Sequence, residues 1–175
     1  MRVQKLLQLL ALTVPLVITS LSAASAAIAV PYPETNPVFT VDVPEGWQVK
    51  HEHGAVRIIA QADAVLILQH VDNVKDDDTA MAAVAELATL QGKQFSLADP
   101  KVVRPAAVML SGEFKGFITE CRGTSPHGMD TSWQVMLFSP KDNDYFLVTC
   151  LWTKDDAEKT AADRQTMFTS LKLLH

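Results

Sequence analysis

Histidines are the residues of this sequence whose type and spacing most readily suggest chemistry. His51 and His53 stand two positions apart in the segment KHEHG, so on a β-strand both imidazoles would project from the same side. If the next segment folds back as an antiparallel hairpin, His70 would reach the same end of the sheet. Three imidazoles with neighbouring carboxylates suit Zn²⁺ or Cu²⁺. The spacing therefore predicts a metal site at His51, His53 and His70, with a solvated strand end as the alternative.

The two cysteines of the chain, Cys121 and Cys150, raise the question of a disulfide. An even number of cysteines in an exported protein favours a bridge. Both residues, however, fall inside predicted strands, and a bridge needs Cα atoms within about 7 Å of each other. If the two strands flank a third one, the cysteines lie too far apart. Pairing and two separate thiols are therefore both left open.

Motifs for nucleophilic or phosphate chemistry are absent from the sequence. Ser111 precedes Gly112 but lacks the earlier glycine of a G-x-S-x-G elbow, and there is no G-x-x-x-x-G-K-[ST] loop. The carboxylates Glu113 and Glu120 are interpreted as strand-edge charges. We therefore predict a protein without catalytic activity and without a cofactor. An exported hydrolase is the less favoured alternative, because active sites also form from residues distant in sequence.

The first 29 residues have the composition of a secretory signal peptide. Arg2 and Lys5 precede an apolar run, and a tract of small residues with two A-x-A sites follows. The run is broken by Gln8, Thr13 and Pro15 and is shorter than the ~20 residues that a membrane-spanning helix needs. We expect cleavage after Ala26 or Ala29 and a periplasmic or secreted mature protein.

The chain after the export segment has the size and charge of one acidic domain. Residues 30–37 contain three prolines and are predicted to be an extended leader, and residues 38–175 a single domain. Without residues 1–29 the chain carries 13 Lys plus Arg against 20 Asp plus Glu, a formal charge of −7. This balance argues against nucleic acid and anionic lipid as partners. We expect a monomer that does not insert into membranes after cleavage.

Hydrophobic periodicity predicts four strands, a helix, four further strands and a final helix. Alternating apolar and polar residues mark the strands, and three- and four-residue spacing marks helices at about 76–94 and about 154–174. Phe39 and Trp47 are interpreted as core and edge residues of the first hairpin. Strands joined by short turns are antiparallel, and amphipathic helices need a sheet to cover. The pattern therefore predicts an α+β domain.

Three segments resemble the PsbP-like superfamily, which is named for the photosystem II extrinsic protein and includes Mog and the bacterial periplasmic protein DcrB. They are FTVDVPEGWQVK, VMLSGEFKGFITECRG and the terminal MFTSLKLL. The resemblance implies an α/β/α sandwich with a central antiparallel sheet of about six to eight strands. It also implies binding of partners or ions and no shared active site. The leading hypothesis is a non-catalytic exported accessory protein that binds a protein partner or small ligand; a His-based Zn or Cu module is the alternative.

Overall fold

Ten strands and two helices make up the described part of the chain. The computed structural model describes residues 27–52, 54–60, 63–111, 114–141 and 144–174. The strands are β1 (Ile28–Tyr32), β2 (Phe39–Val43), β3 (Gln48–Glu52), β4 (Ala55–Ile59), β5 (Ala64–Val71), β6 (Ala98–Ser111), β7 (Phe114–Thr124), β8 (Asp130–Lys141), β9 (Asp144–Thr153) and β10 (Lys172–Leu173). The helices are α1 (Asp77–Gln94) and α2 (Ala161–Thr169), and a 3₁₀-helix (Lys154–Asp156) precedes α2.

Seven of these strands form one antiparallel sheet in the order β3-β4-β5-β9-β8-β7-β6. Neighbours along the chain pair through short turns, as the sequence predicts. The exception is β9, which returns to pair with β5 after the β6–β8 meander. The predicted α+β class and the predicted sheet of six to eight strands are therefore confirmed.

The edge strand β6 is the most irregular strand of this sheet. It pairs with β7 along its length, but the register shifts between Ala98 and Lys101, between Val102 and Arg104, and between Arg104 and Ala107. Pro100 and Pro105 fall within these shifts. A proline has no N–H to donate to a ladder, so it is tolerated at a sheet edge and at bulges.

One face of the large sheet is covered by a small sheet and by α2. The small sheet has the order β1-β2-β10 and is antiparallel. On β2, Phe39, Val41 and Val43 are buried while Thr40 and Asp42 are half-buried, which is the predicted alternation. The Phe39 ring lies 5.1 Å from Phe138 and 5.2 Å from Phe146, both in edge-on arrangements. These rings form the centre of the hydrophobic core on this face of the large sheet, which we call the first core.

The other face of the large sheet is covered by α1. The Asp76 side chain accepts a hydrogen bond from the Thr79 N–H at 2.7 Å and caps the N-terminus of the helix. Ala80, Val84 and Ala88 are fully buried in the second core. The Trp133 indole of β8 donates to the Ala88 carbonyl at 2.9 Å. Because this bond satisfies a buried indole, it fixes the helix over β8, β7 and β6 at one end of the sheet.

The second helix is shorter than the predicted range of 154–174. The buried Asp156 carboxylate accepts hydrogen bonds from Thr153 Oγ1 at 2.9 Å, Lys159 Nζ at 2.8 Å and the Asp63 N–H at 3.2 Å. The chain around it therefore folds as a 3₁₀-helix and turns, and the α-helix begins at Ala161. After α2 the chain becomes extended and pairs with β2 as β10.

The start of the described chain belongs to the fold. Residues 30–37 are predicted as an extended leader, but Val30 and Tyr32 are buried because β1 pairs with β2 from Ile28 to Tyr32. Residues 1–26, which include most of the predicted signal peptide, lie outside the described residues. No helix in the described part is long and apolar enough to cross a membrane.

Candidate functional site

The described histidines of the predicted metal site lie on one face of the sheet. His51 pairs with Val56, which pairs with Leu68, and His70 follows two residues after Leu68 on β5. His51 Nδ1 is 3.4 Å from Glu34 Oε2. His53 lies outside the described residues.

His70 is held between two carboxylates. Its Nε2 is 2.6 Å from Asp144 Oδ1 and its Nδ1 is 2.9 Å from Asp72 Oδ1. The carboxylates therefore contact opposite sides of the ring and do not converge on one point. Among the described residues, no group of three or more His, Cys, Asp or Glu side chains has the geometry to hold a metal ion. The site at His51, His53 and His70 stays a prediction, because one of its members is not described.

A cavity of about 350 Å³ lies beside His51, between the β3–β4 hairpin and the chain after β1. Tyr32 and Glu34 line it from one side and His51 and Glu52 from the other. The Tyr32 hydroxyl donates to the Gly54 carbonyl at 2.7 Å, and burial raises the pKa of this phenol. Tyr32 is therefore anchored by its own hydrogen bond.

The two cysteines do not form the disulfide that the sequence left open. Cys121 on β7 and Cys150 on β9 are separated by β8, and two strand spacings correspond to roughly 10 Å. Cys121 lies in the core under α1 and Cys150 in the core under the small sheet, so their side chains point to opposite faces. Burial raises the pKa of Cys121 to about 11 and that of Cys150 to about 12. Both are buried neutral thiols.

A polar cleft lies where β7, β8 and β9 meet the 3₁₀-helix. Arg122, Ser132 and Trp152 are register partners across these strands and share one face of the sheet. Their side of the cleft is completed by Lys154 and Ala157, and the cleft volume is about 420 Å³. We call these five residues, with Glu120 and Asp130 in the same lining, the β7–β9 cleft.

Glu120 is the buried charge of the β7–β9 cleft, and it is not the strand-edge charge that the sequence suggests. Only 8% of this residue is exposed, because β7 lies between β6 and β8. Its carboxylate is 3.7 Å from Arg104 Nη2, 3.8 Å from Arg122 Nη2 and 3.4 Å from Gln134 Nε2. All three contacts are longer than the usual charge-assisted hydrogen bond of about 2.7–2.9 Å.

Helix α2 contributes a fixed guanidinium to the back of the cleft. The Arg164 Cζ atom lies 3.7 Å from the centre of the Trp152 ring, which is a cation–π contact. Arg164 also donates to the Ala157 carbonyl at 2.8 Å and to Thr160 Oγ1 at 3.1 Å. These contacts hold Trp152 and the turn before α2 in place.

Sequence reasoning did not find this cleft. Its residues come from three strands and a turn, and the register that brings them together cannot be read from one segment. The available signal was the pair Glu120 and Arg122, two positions apart in a strand and therefore on one face. His127 and Met129, whose side chains could suit a soft metal, lie in an exposed turn where the Gly128 N–H donates to the Ser125 carbonyl.

The fold is similar to several solved structures, while sequence comparison alone finds nothing. No family model matches the chain, and no curated protein matches it. The solution structure of cyanobacterial PsbP (CyanoP) from Synechocystis aligns with a TM-score of 0.58 and 11% identity, over 89% of this chain and 96% of that one.

Two further structures align over most of both chains. LpqN, involved in cell envelope biogenesis of Mycobacterium tuberculosis, gives a TM-score of 0.54 and 11% identity over 85% of this chain and 92% of its own. The Saccharomyces cerevisiae Ran-binding protein Mog1p gives a TM-score of 0.53 and 11% identity over 84% of this chain and 95% of its own. At this identity the likeness shows architecture alone. The resemblance seen in the sequence is confirmed at that level: this chain has the PsbP-like fold.

Proposed function

We propose that this chain is a non-catalytic, exported accessory protein that binds a protein partner or small ligand in the β7–β9 cleft. The observation that carries the proposal is the cleft itself. It is a concave opening of about 420 Å³, and its walls carry exposed cations beside a buried carboxylate. Concave sites with a few convergent polar groups are where proteins hold ligands.

The chemistry of the described residues supports binding over catalysis. Both thiols are buried with raised pKa values, so neither is a ready nucleophile near neutral pH. The ring nitrogens of His70 face Asp72 and Asp144. A general base needs a free nitrogen within reach of the proton it removes.

The fold neighbours support the same class of function. Mog1p is a Ran-binding protein, and LpqN is involved in cell envelope biogenesis. Proteins of this architecture are therefore used for binding a partner and at the cell envelope. Because a fold carries unrelated roles, the partner of this chain has to be argued from its own cleft.

Export is the part of the proposal that rests on the N-terminal sequence. Strand β1 begins at Ile28 and pairs with β2 from its first residue. Cleavage after Ala26 leaves this strand whole, whereas cleavage after Ala29 removes two of its five residues. The exported protein is therefore expected to begin at Ala27, which its intact mass would report.

The binding proposal is tested with a variant that fills the cleft. Ser132→Phe places a ring between Arg122 and Trp152, and Gln48→Phe places the same ring on exposed β3 as the control. Wild type and variants are screened by thermal shift and native mass spectrometry against small molecules and peptides. We expect at least one compound to bind wild type and Gln48→Phe but not Ser132→Phe, and to be recovered chemically unchanged.

Other outcomes of this screen contradict the proposal. A compound that is converted during incubation would identify an enzyme. Equal binding by Ser132→Phe, or no saturable binding by wild type across the screen, would remove the cleft as the functional site.

A second candidate function, metal binding, is favoured by one observation. His51 Nδ1 lies 3.4 Å from Glu34 Oε2 at the wall of the cavity beside β3, and His53 follows two residues later. Calorimetric titration of Zn²⁺ and Cu²⁺ into wild type and His51→Ala tests it. Tight binding lost in the variant supports a metal site, and equally weak binding in both proteins rejects it.

A further inference from the structure

The lining of the β7–β9 cleft carries two cations and two carboxylates, and two further cations lie next to it, on a protein that is acidic overall. The whole chain has a formal charge of −5. Four cations stand in or behind the cleft, and two carboxylates line it. The cations are Arg104, Arg122, Lys154 and Arg164, and the carboxylates are Glu120 and Asp130. Because the lining holds two charges of each sign, an anion would be bound by individual donors that are not already paired.

The four cations differ in how far other residues of the protein already engage their hydrogen-bond donors. Arg164 is committed to Trp152, Ala157 and Thr160. Arg104 lies on the edge strand next to Glu120. Arg122 and Lys154 remain as the exposed cations of the lining.

Arg122 and Lys154 have spare bonding capacity. Arg122 has 66% of its side chain exposed, and its ion pair with Glu120 is long at 3.8 Å. Lys154 makes no salt bridge with any described residue. A guanidinium presents five N–H donors in a planar fork, and an ammonium presents three. Most of these donors are available to a ligand.

Buried Glu120 lies beside Arg122 and its neighbour Arg104. A carboxylate that is 8% exposed and lies 3.7–3.8 Å from two arginines holds both guanidinium groups on the same face of the sheet. It neutralises one of these charges, while the exposed part of Arg122 lines the opening. The arrangement matches a planar oxyanion, which takes two parallel hydrogen bonds from arginine.

From this geometry we infer that the β7–β9 cleft binds a small molecule through a carboxylate or phosphate group, paired with Arg122 and Lys154. The inference rests on the proposed binding function and adds the chemical class of the ligand. The apolar part of the ligand lies against Ala157 and the small part of the otherwise buried Trp152 that lines the cleft.

The test uses calorimetric titration of the exported full chain at low ionic strength. The probes are inorganic phosphate, benzoate, and benzamide as the neutral counterpart of benzoate. The variants are Arg122→Gln and Lys154→Gln. Arg57→Gln on β4 and Lys50→Gln on β3 are matched controls, because they remove exposed cations far from the cleft along the sheet.

We expect benzoate or phosphate to bind saturably and each cleft variant to weaken that binding about ten-fold, the size expected for a charged hydrogen bond. Benzamide should bind much more weakly, the two controls should match wild type, and added salt should weaken binding. Preference for benzoate identifies a carboxylate ligand, and preference for phosphate identifies a phosphate ligand. Anion binding that is unchanged in both cleft variants, equal binding of benzamide, or no anion binding overturns the inference.

The outcome for Ser132→Phe separates the two proposals. Suppose that Ser132→Phe no longer binds a neutral or cationic compound that wild type binds, and that wild type binds neither phosphate nor benzoate. The proposed ligand class is then wrong, and the binding function stands. If Ser132→Phe binds every compound as wild type does, both proposals fall.

Discussion

Gly92 of α1 lies against the Trp133 ring of β8 so closely that a Cβ atom on the glycine would stand 2.6 Å from Trp133 Cζ2. The same ring donates to the Ala88 carbonyl one turn earlier in the helix. Glycine inside a helix costs about 1 kcal/mol relative to alanine. Close packing of helix on sheet is therefore the reason for a glycine at this position.

We predict that Gly92→Ala destabilises the protein although alanine is the better helix former. The added methyl group overlaps a fully buried ring that is fixed by its hydrogen bond, and overpacking of this kind costs about 1–3 kcal/mol. Urea denaturation measures the change, with the exposed Leu90→Ala of the same helix as control. A Gly92→Ala protein more stable than wild type would contradict the packing argument.

The cysteines are predicted to be two free and unreactive thiols in the native protein. Cys121 and Cys150 are buried on opposite faces of the sheet, and burial raises both pKa values. A thiol-specific reagent such as Ellman's reagent should react with neither in the folded state and with two thiols per chain in denaturant. A mass two hydrogens lower, with no thiol titrated in denaturant, would show the disulfide that the geometry excludes.

Both tyrosines of the chain are predicted to ionise above their ordinary pKa. Burial raises the pKa of Tyr32, and burial with the hydrogen bond to Asp77 raises that of Tyr145 to about 12. Because the raised pKa belongs to the folded state, the stabilisation is present below about pH 10 and is lost as the pH rises toward 12.

Alkaline titration of tyrosinate absorbance, followed together with the far-ultraviolet circular dichroism, measures this effect. The Tyr145→Phe variant should lose the higher transition and show a smaller fall in stability between about pH 10 and 12. Ionisation of both tyrosines near pH 10 in a chain that stays folded would contradict the prediction.

Trp47 and Asp163 connect the first hairpin to α2, since the indole N–H donates to Asp163 Oδ2 at 2.8 Å. We predict that Trp47→Phe and Asp163→Ala each lower the free energy of unfolding by about 1 kcal/mol, the net value of one partly buried hydrogen bond. Asp163→Asn keeps an acceptor oxygen and should lose less. If the double variant Trp47→Phe/Asp163→Ala loses the full sum of both single changes, the two residues are not coupled.

Strand β1 is predicted to be essential to the fold. A chain that begins at Val38 lacks Val30 and Tyr32, which are only 5% and 2% exposed. It therefore also lacks the Tyr32 ring, whose centre lies 5.6 Å from that of Phe39. Removal of two buried side chains costs several kcal/mol, at about 2–5 kcal/mol for each large one. A chain that begins at Val30 keeps both and is the control. Equal unfolding temperatures for the two chains would show that β1 is dispensable.

The strands could be predicted from sequence because burial on one face imposes a two-residue period. On β2, Phe39, Val41 and Val43 show it directly. The structure of segment 154–174 was harder to predict, because its acidic start resembles a helix N-terminus. Asp156 instead accepts bonds from Thr153, Lys159 and the distant Asp63 backbone, and only tertiary structure reveals the last of these.

The candidate site was less accessible to sequence reasoning, for a physical reason. The row Arg122–Ser132–Trp152 depends on the register of three strands, and a shift of one residue would turn each side chain to the other face. The sequence placed His51 and His70 at one end of the sheet, but Glu34 and Asp144, which contact them, come from segments far away in the chain.

The irregular edge of the large sheet has a consequence for chains at high local concentration. Pro100 and Pro105 remove two amide donors from β6, and its three register shifts break the spacing that an incoming strand would have to match. Only the stretch with exposed Val108 and Leu110 offers a regular rim. Intermolecular strand pairing along this edge is therefore confined to a few residues, which limits how far β6 can template the addition of another chain.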